Sequence, residues 1–99
     1  MNELDCVVIG YDITSKITYE DAKKFWYQLV VENNLCDLVY FIGNKIDLHQ
    51  MRKVDRDEAI KFANHENIRL FEISCKNYTG INEFLEDLVY NLTNEGKLK

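Results

Sequence analysis

The amino-acid sequence predicts an α/β fold in which three parallel strands alternate with three helices, in the chain order β-α-β-α-β-α. Two observations predict it. Three short apolar runs are typical of buried strands, and each is followed by a segment whose apolar residues recur with helical spacing. Right-handed crossovers would place these helices on both faces of a three-stranded parallel sheet, giving three layers, α/β/α. The 99 residues are enough for one domain.

The first part of the chain contains one strand and one helix in this interpretation. Residues 6–11 are apolar at consecutive positions, so the strand is expected to be buried on both faces. Residues 19–33 carry apolar side chains at helical spacing, and Thr18 is the expected helix cap. Phe25 and Trp26 fall on the apolar stripe of this helix, which favours a place in the core over a place in an interface.

The middle of the chain supplies the other two strands. Residues 38–43 and 68–74 are the second and third strand candidates. Between them, a polar loop over residues 44–54 leads to a short helix that begins at Asp55 and continues to about residue 64. In open parallel sheets ligands bind at the carboxyl ends of the strands, so the loops after the strands are the places to search for a site.

The last helix carries the clearest apolar stripe of the chain, and Thr79 is its expected cap. The stripe consists of Ile81, Phe84, Leu85, Leu88, Val89 and Leu92. Three acidic side chains between these positions, those of Glu83, Glu86 and Asp87, are expected on the face of the helix that contacts solvent.

Charge and composition argue against several classes of protein. The chain has 12 basic and 17 acidic residues, so no broad basic surface for nucleic acid or an anionic membrane is expected. The longest apolar run is too short to span a bilayer, and the first residues do not resemble a secretory signal. Three cysteines without a CxxC pair are typical of reduced thiols, which favours a cytoplasmic location. No prenylated cysteine is expected at the C-terminus, so this chain is expected to carry no direct membrane anchor.

The sequence suggests no constellation for catalysis or for metal binding. His49 and His65 are isolated, and neither has a second ligand at the spacing that metal sites need. No serine or cysteine nucleophile is paired with a histidine in a recognisable arrangement. We therefore expect no catalytic residue and no metal ligand in this chain.

Polar residues follow the second and third predicted strands, and one of them is suited to read a purine base. A carboxylate at a strand end can accept two hydrogen bonds from adjacent N–H groups on one ring edge. Guanine offers such a pair, N1–H and the exocyclic amine, whereas adenine does not, so Asp47 is the candidate for a guanine contact. The candidate binding residues are Asn44, Lys45, Asp47, Ser74, Cys75 and Lys76.

Neighbouring groups could complete a base site around Asp47. Asn44 can donate and accept towards the base edge or tie neighbouring loops together. The aliphatic stem of Lys45 can cover a flat ring while its ammonium stays solvated. A backbone N–H in the turn 74–76 could meet the carbonyl oxygen of the base. Taken singly, Asp47 would be read as a turn residue and Ser74 as a strand-end cap, so it is the combination that favours base recognition.

These residues carry a resemblance to the Ras-like small GTPases that extends from about residue 5 to residue 91. Residues 44–47 read Asn-Lys-x-Asp and residues 74–76 read Ser-x-Lys, which look like the two guanine-recognition motifs of that family. Residues 11–14, Tyr-Asp-Ile-Thr, together with Trp26 in the next helix, are most similar to the Rab branch. Two motifs at the ends of consecutive strands, in the right order, are far more specific than one.

The resemblance implies GTP or GDP as the ligand, bound through the candidate residues named above. Cys75 stands where the family usually has alanine, but the family makes this contact through the backbone, and cysteine is small. The resemblance further implies that the parent protein is a switch in vesicle traffic. Such proteins lie on the cytosolic face of endomembranes, where a prenylated tail holds them.

The resemblance covers only the C-terminal half of a P-loop GTPase domain. A phosphate-binding loop needs Gly-x4-Gly-Lys-Ser/Thr, and the nearest string, residues 10–17, lacks the second glycine and the metal-binding hydroxyl. We expect residues 1–99 to be the C-terminal part of such a domain, with a core over about residues 5–93, a polar tail over residues 94–99, and the N-terminal half of the fold absent. Because phosphate and Mg²⁺ ligands would be missing, this chain alone is expected not to hydrolyse GTP.

A second expectation concerns the first strand, here taken as residues 5–11, whose inner neighbour in the family sheet would lie in the missing half. An unpaired apolar edge is a template for another strand, so we expect a homodimer, a swapped assembly, aggregation or a complementing partner chain. The alternative function is therefore a non-catalytic interaction module that pairs through this strand and binds no nucleotide appreciably. A third interpretation is an unrelated flavodoxin-like α/β domain in which the motifs are accidental.

Overall fold

The computed structural model describes residues 5–94 and contains one sheet of three parallel strands. The strands are β1 (Val7–Asp12), β2 (Val39–Asn44) and β3 (Arg69–Glu72), and they lie side by side in the order β1-β2-β3. The pairing is parallel on both sides of β2, as the order of apolar runs in the sequence predicts. The α/β fold with a three-stranded parallel sheet is therefore confirmed.

The helices alternate with the strands. The described elements are α1 (Lys16–Asp21), a π-helical turn (Ala22–Trp26), α2 (Tyr27–Glu32), a 3₁₀ stretch (Ile46–Met51), α3 (Arg56–Glu66) and α4 (Ile81–Asn94). Helix α3 begins after Asp55, whose side chain accepts a hydrogen bond from the Asp57 backbone N–H at 3.1 Å, and it runs slightly further than predicted. Within residues 5–94, no helix has both the length and the apolar character needed to cross a bilayer.

The register of the sheet assigns side chains to two apolar clusters, one on each face. Ile9 and Phe41 are register partners, and they join the larger cluster with residues of α1, α2 and α3. Tyr40 and Ile42 point to the opposite face and form the smaller cluster, against which residues of α4 such as Phe84 pack. Helices thus cover both faces of the sheet, which confirms the predicted three-layer arrangement.

Strand β1 is covered on one face only, so the expectation that both of its faces are buried is wrong. Val8 is 48% exposed and Gly10 is exposed, whereas Ile9 and Tyr11 on the opposite face are buried. The physical reason is the position of α4: its cluster includes residues of β2 and of the chain around β3, but none of β1. The second face of β1 therefore has no helix above it in the part of the chain that the structure describes.

The first helical segment places Phe25 and Trp26 on the surface, so their predicted place in the core is wrong. Phe25 is 56% exposed and Trp26 is 51% exposed, and their rings pack edge to face with centroids 4.8 Å apart. The cause is the π-helical turn, in which the Tyr27 backbone N–H bonds the Ala22 carbonyl five residues earlier. Because this turn contains one extra residue, Tyr27 takes the buried position below Ala22 that an uninterrupted α-helix would give to Trp26.

Two predicted helix caps are also wrong. Helix α1 begins after Ser15, whose side chain accepts from the Thr18 backbone N–H at 3.5 Å, so Thr18 lies inside the first turn. Thr79 pairs instead with Ser74 through two backbone hydrogen bonds of 2.9 and 3.1 Å. Gly80 separates this bridge from α4 with a φ of +79°, a left-handed conformation that a residue with a Cβ rarely adopts.

Asp87 lies against the sheet rather than in solvent, which corrects its expected position. Its carboxylate accepts hydrogen bonds from the Arg69 guanidinium, from the Tyr40 hydroxyl at 2.7 Å and from the Asn91 side-chain amide at 3.0 Å. The Arg69 hydrogen bond is the main reason why the pKa of Asp87 lies below its ordinary value, and burial raises the pKa of Tyr40 to about 12. This network fastens α4 to β2 and β3.

The lowered pKa of Asp87 predicts a loss of stability in acid. The folded protein binds a proton at this carboxylate less readily than the unfolded chain, whose ordinary pKa is 3.8. The stabilisation is therefore complete above that value and is lost as the pH falls through the lowered pKa of the folded state. We expect Asp87→Asn to be less stable than the wild type at neutral pH and to lose less stability on acidification, as measured by urea unfolding at successive pH values.

Glu86→Gln is the matched control for this experiment, because it removes a neighbouring carboxylate that is exposed on α4. It should leave the pH dependence close to that of the wild type. An Asp87→Asn variant whose unfolding free energy falls with acid as steeply as that of the wild type would contradict the role assigned to the network.

Candidate functional site

The carboxyl ends of the strands meet at one edge of the sheet, where backbone hydrogen bonds join the loops that follow them. Asp12 and Asn44 are register partners at the ends of β1 and β2. Beyond β3, the Ile73 N–H donates to the Gly43 carbonyl at 2.8 Å, and the Ile46 N–H donates to the Ile73 carbonyl at 3.2 Å. The two loops that carry the candidate residues are therefore fixed relative to each other by the main chain.

A buried hydroxyl holds the candidate base-reading carboxylate. Asp47 lies in the first turn of the 3₁₀ stretch, and its Oδ1 accepts a hydrogen bond of 2.7 Å from the Ser74 hydroxyl. Ser74 is completely buried, and its Oγ also accepts from the Asn77 backbone N–H at 3.1 Å. Ser74 therefore links the two motifs and orients the carboxylate of Asp47.

Contacts fix Lys45 both at its backbone and at its side-chain ammonium. Its backbone is left-handed (φ 72°, ψ 34°), and its N–H donates to the side-chain oxygen of Asn44 at 2.7 Å. Its ammonium lies 2.9 Å from a carboxylate oxygen of Asp12. The predicted solvation of the ammonium is compatible with a Lys45 side chain that is half exposed, and the structure adds an ion-pair partner at the end of β1.

These side chains surround a cavity of about 330 Å³. It is lined by Asn44, Lys45, Asp47, Leu48, Cys75 and Lys76. All of the candidate residues line this cavity except Ser74, which is buried and donates a hydrogen bond to Asp47. Cys75 carries a free, exposed thiol. Larger surface grooves lie along the outer edges of the sheet, but none of the candidate residues line them.

Two residues at the site were given no role by the sequence analysis. Leu48 supplies an apolar part of the cavity wall, and no spacing rule marks it. Asp12 accepts two hydrogen bonds from Thr14, from its N–H at 2.8 Å and its hydroxyl at 2.7 Å. Its position at the end of a predicted strand was the available signal, because parallel strands bring such ends together.

The electrostatics of Asp12 favour its charged form. Burial alone would raise the pKa of this carboxyl, but the hydrogen bonds from Thr14 and Lys45 outweigh burial and hold the pKa below its ordinary value. Asp12 is therefore ionised at neutral pH and attracts the Lys45 ammonium. Among residues 5–94, no group of three histidine, cysteine or acidic side chains is placed to hold a metal ion.

Comparisons with known proteins find one family that this chain resembles. The model of the Ras family matches residues 1–94. The chain is 32% identical to the Ras-related protein Rab-13 of Canis lupus familiaris over 87 residues, which are 87% of this chain and 42% of that protein. It is 35% identical to the Ras-related protein Rab-11C of Dictyostelium discoideum over 95 residues, which are 91% of this chain and 42% of that protein.

A yeast relative shows a similar sequence identity and coverage. The chain is 32% identical to the GTP-binding protein ypt5 of Schizosaccharomyces pombe over 95 residues, which are 95% of this chain and 45% of that protein. The chain therefore spans less than half the length of these curated relatives.

The link between the two motifs can be tested through stability. Ser74→Ala removes the hydroxyl that Asp47 and the Asn77 N–H both use, and unpaired buried polar groups of this kind cost about 1–2 kcal/mol. We expect the unfolding free energy, measured in urea, to fall by about that amount. Cys75→Ala is the control, since this neighbouring side chain is exposed and should be nearly neutral. A Ser74→Ala variant as stable as the control would contradict the linking role.

Proposed function

This chain belongs to the Ras family, and from that premise we propose that its cavity recognises the guanine base of GTP and GDP. The observation that carries the proposal is the carboxylate of Asp47, which the buried Ser74 hydroxyl orients at the wall of the cavity. A carboxylate fixed in this way can accept both N1–H and the exocyclic amine of guanine. Adenine has no such pair of donors on that edge, so the same contact discriminates between the two purines.

The neighbouring residues complete the proposed base contacts. The aliphatic stem of Lys45 covers one face of the ring while its ammonium stays with Asp12. A backbone N–H of the turn 74–76 meets the carbonyl oxygen of guanine, and because this contact uses the backbone, cysteine at position 75 is compatible with it. Asn44 steadies the turn through its hydrogen bond to the Lys45 N–H, and Lys76 also lines the cavity.

The whole protein would use this site as part of a GTP/GDP switch that regulates vesicle traffic on the cytosolic face of endomembranes. Residues 1–99 would be the C-terminal part of its GTPase domain, with a core over about residues 5–93 and a tail that extends beyond the described residues. These 99 residues contain no Gly-x4-Gly-Lys-Ser/Thr sequence, so phosphate and Mg²⁺ would be held by other parts of the protein. The 99-residue chain alone would then bind guanine weakly and would not turn over GTP.

Base recognition can be tested on the isolated chain with GMP, which presents the base without a long phosphate group. Titration of the ¹⁵N-labelled protein with GMP should shift the amide resonances of the two motif loops, while AMP should leave them unchanged. Asp47→Ala should weaken GMP binding by about tenfold or more, because a charge-assisted hydrogen bond contributes roughly 1.5–3 kcal/mol. The same wild-type sample, incubated with GTP, should release no phosphate.

Asp21→Ala is the matched control, since it removes an exposed carboxylate at the end of α1, away from the candidate residues. It should bind GMP as the wild type does. Equal failure of the wild type and of Asp47→Ala to bind GMP would reject retained base recognition, and equal shifts with AMP would reject the guanine contact of Asp47.

A second candidate function, an interaction module that pairs through β1, is favoured by the surface at that edge. Within residues 5–94, β1 is bonded to β2 alone, so its other edge carries backbone groups without a strand partner. Beside it lies a groove of about 400 Å³. The groove is lined by Val7, Val8, Ile9, Gly10, Trp26, Leu29, Val30 and Leu35. An apolar edge of this kind favours the addition of a strand from a second copy or from a complementing chain.

Self-association through β1 can be measured by sedimentation velocity over a range of protein concentrations. We expect the 99-residue chain to form dimers or larger species, and Val8→Lys to shift it towards monomer because charges on an edge strand oppose pairing. Val31→Lys is the control, since Val31 is similarly exposed but lies on α2. A wild-type chain that stays monomeric and melts cooperatively would exclude pairing between copies.

A further inference from the structure

Asp12 is the charged residue at the site for which the proposed base contacts provide no direct role. It ends β1, whereas the first motif begins at the last residue of β2 and the second follows β3. Both of its carboxylate oxygens are engaged: Oδ1 accepts the N–H and the hydroxyl of Thr14, and Oδ2 lies 2.9 Å from the ammonium of Lys45. The hydrogen bonds from Thr14 thus hold the carboxylate, and its second oxygen faces the ammonium of Lys45.

The ion pair affects the geometry of Lys45 because this side chain is long and would otherwise move freely. Its backbone end is set by the left-handed conformation and by the hydrogen bond to Asn44. Its other end is set by Asp12, and Lys45 is one of the residues that line the cavity. A side chain that is ordered before the ligand arrives loses less conformational freedom on binding.

We propose that Asp12 is a positioning residue that holds the stem of Lys45 in place as one wall of the base cavity. This inference rests on the guanine recognition proposed above, and it assigns to the end of β1 a part in base affinity. Asp12 would act through Lys45 and would not touch the base. Its removal should therefore weaken binding modestly, in contrast to the removal of Asp47.

The substitution Asp12→Asn isolates this role, because an amide oxygen can still accept the hydrogen bonds from Thr14 while the charge that attracts Lys45 is lost. Since partly exposed ion pairs contribute little, we expect the Kd for GMP to rise by about three- to fivefold. Lys45→Met keeps an apolar stem but removes the ammonium, and it should weaken GMP binding to a similar extent. Asp21→Asn, which removes a charge on α1, should leave the Kd unchanged.

The double variant Asp12→Asn/Lys45→Met separates positioning from a general structural role. If Asp12 acts through Lys45, the double variant should bind GMP no more weakly than the poorer single variant. If the two losses multiply instead, Asp12 acts independently of Lys45 and the inference is overturned. Wild-type affinity in Asp12→Asn would overturn it as well.

A measurement without ligand tests the ion pair directly and detects a failure to fold. The side-chain carboxyl of Asp12, followed by ¹³C NMR during an acid titration, should have a higher pKa in Lys45→Met than in the wild type, since Lys45 lowers it. An unchanged pKa in a variant with a native-like spectrum would overturn the inference while leaving guanine recognition intact. If instead the wild type binds no GMP, both the proposed function and this inference fall.

Discussion

The parallel pairing of β2 with a strand on each side is the constraint on which the rest of the structure depends. Residues 39–43 are buried, since helices cover both faces of this strand. Because all three strands run in one direction, the loops that follow them come together at one edge of the sheet. Near these ends β1 and β2 approach closely at the register pair Tyr11 and Gly43, where a Cβ on Gly43 would lie 2.8 Å from the hydroxyl of Tyr11. The candidate site is a direct consequence of this meeting of strand ends.

At that edge, two of the candidate side chains are oriented by partners from other strand ends and loops. Asp47 is bonded by Ser74 from the loop after β3, and Lys45 is paired with Asp12 at the end of β1. Each contact connects groups that are far apart in the sequence, so the cavity depends on the sheet that brings them together. The proposed ligand would therefore meet groups whose directions are already set, which reduces the ordering cost of binding.

The positions of the strands and helices could be predicted because they depend on local patterns of apolar residues. The burial of individual side chains was harder to predict, because it depends on which elements pack against each strand or helix. Val8 is exposed because α4 covers β2 and β3 but not β1, and Trp26 is exposed because one extra residue in a helical turn rotates the following face. That π-helical turn is an arrangement of backbone hydrogen bonds, and the residues in it would equally suit an α-helix.

The sequence by itself determined the α/β class, the family and the candidate residues of the base site, because motif spacing and apolar periodicity are properties of consecutive residues. Only the tertiary structure decided that Ser74 orients Asp47 and that Asp87 fastens α4 to the sheet. It also decided that the ammonium of Lys45 has a carboxylate partner in Asp12. The physical reason is that hydrogen bonds and ion pairs of this kind depend on distances between loops, and these distances are set by the sheet register and the packing of the helices.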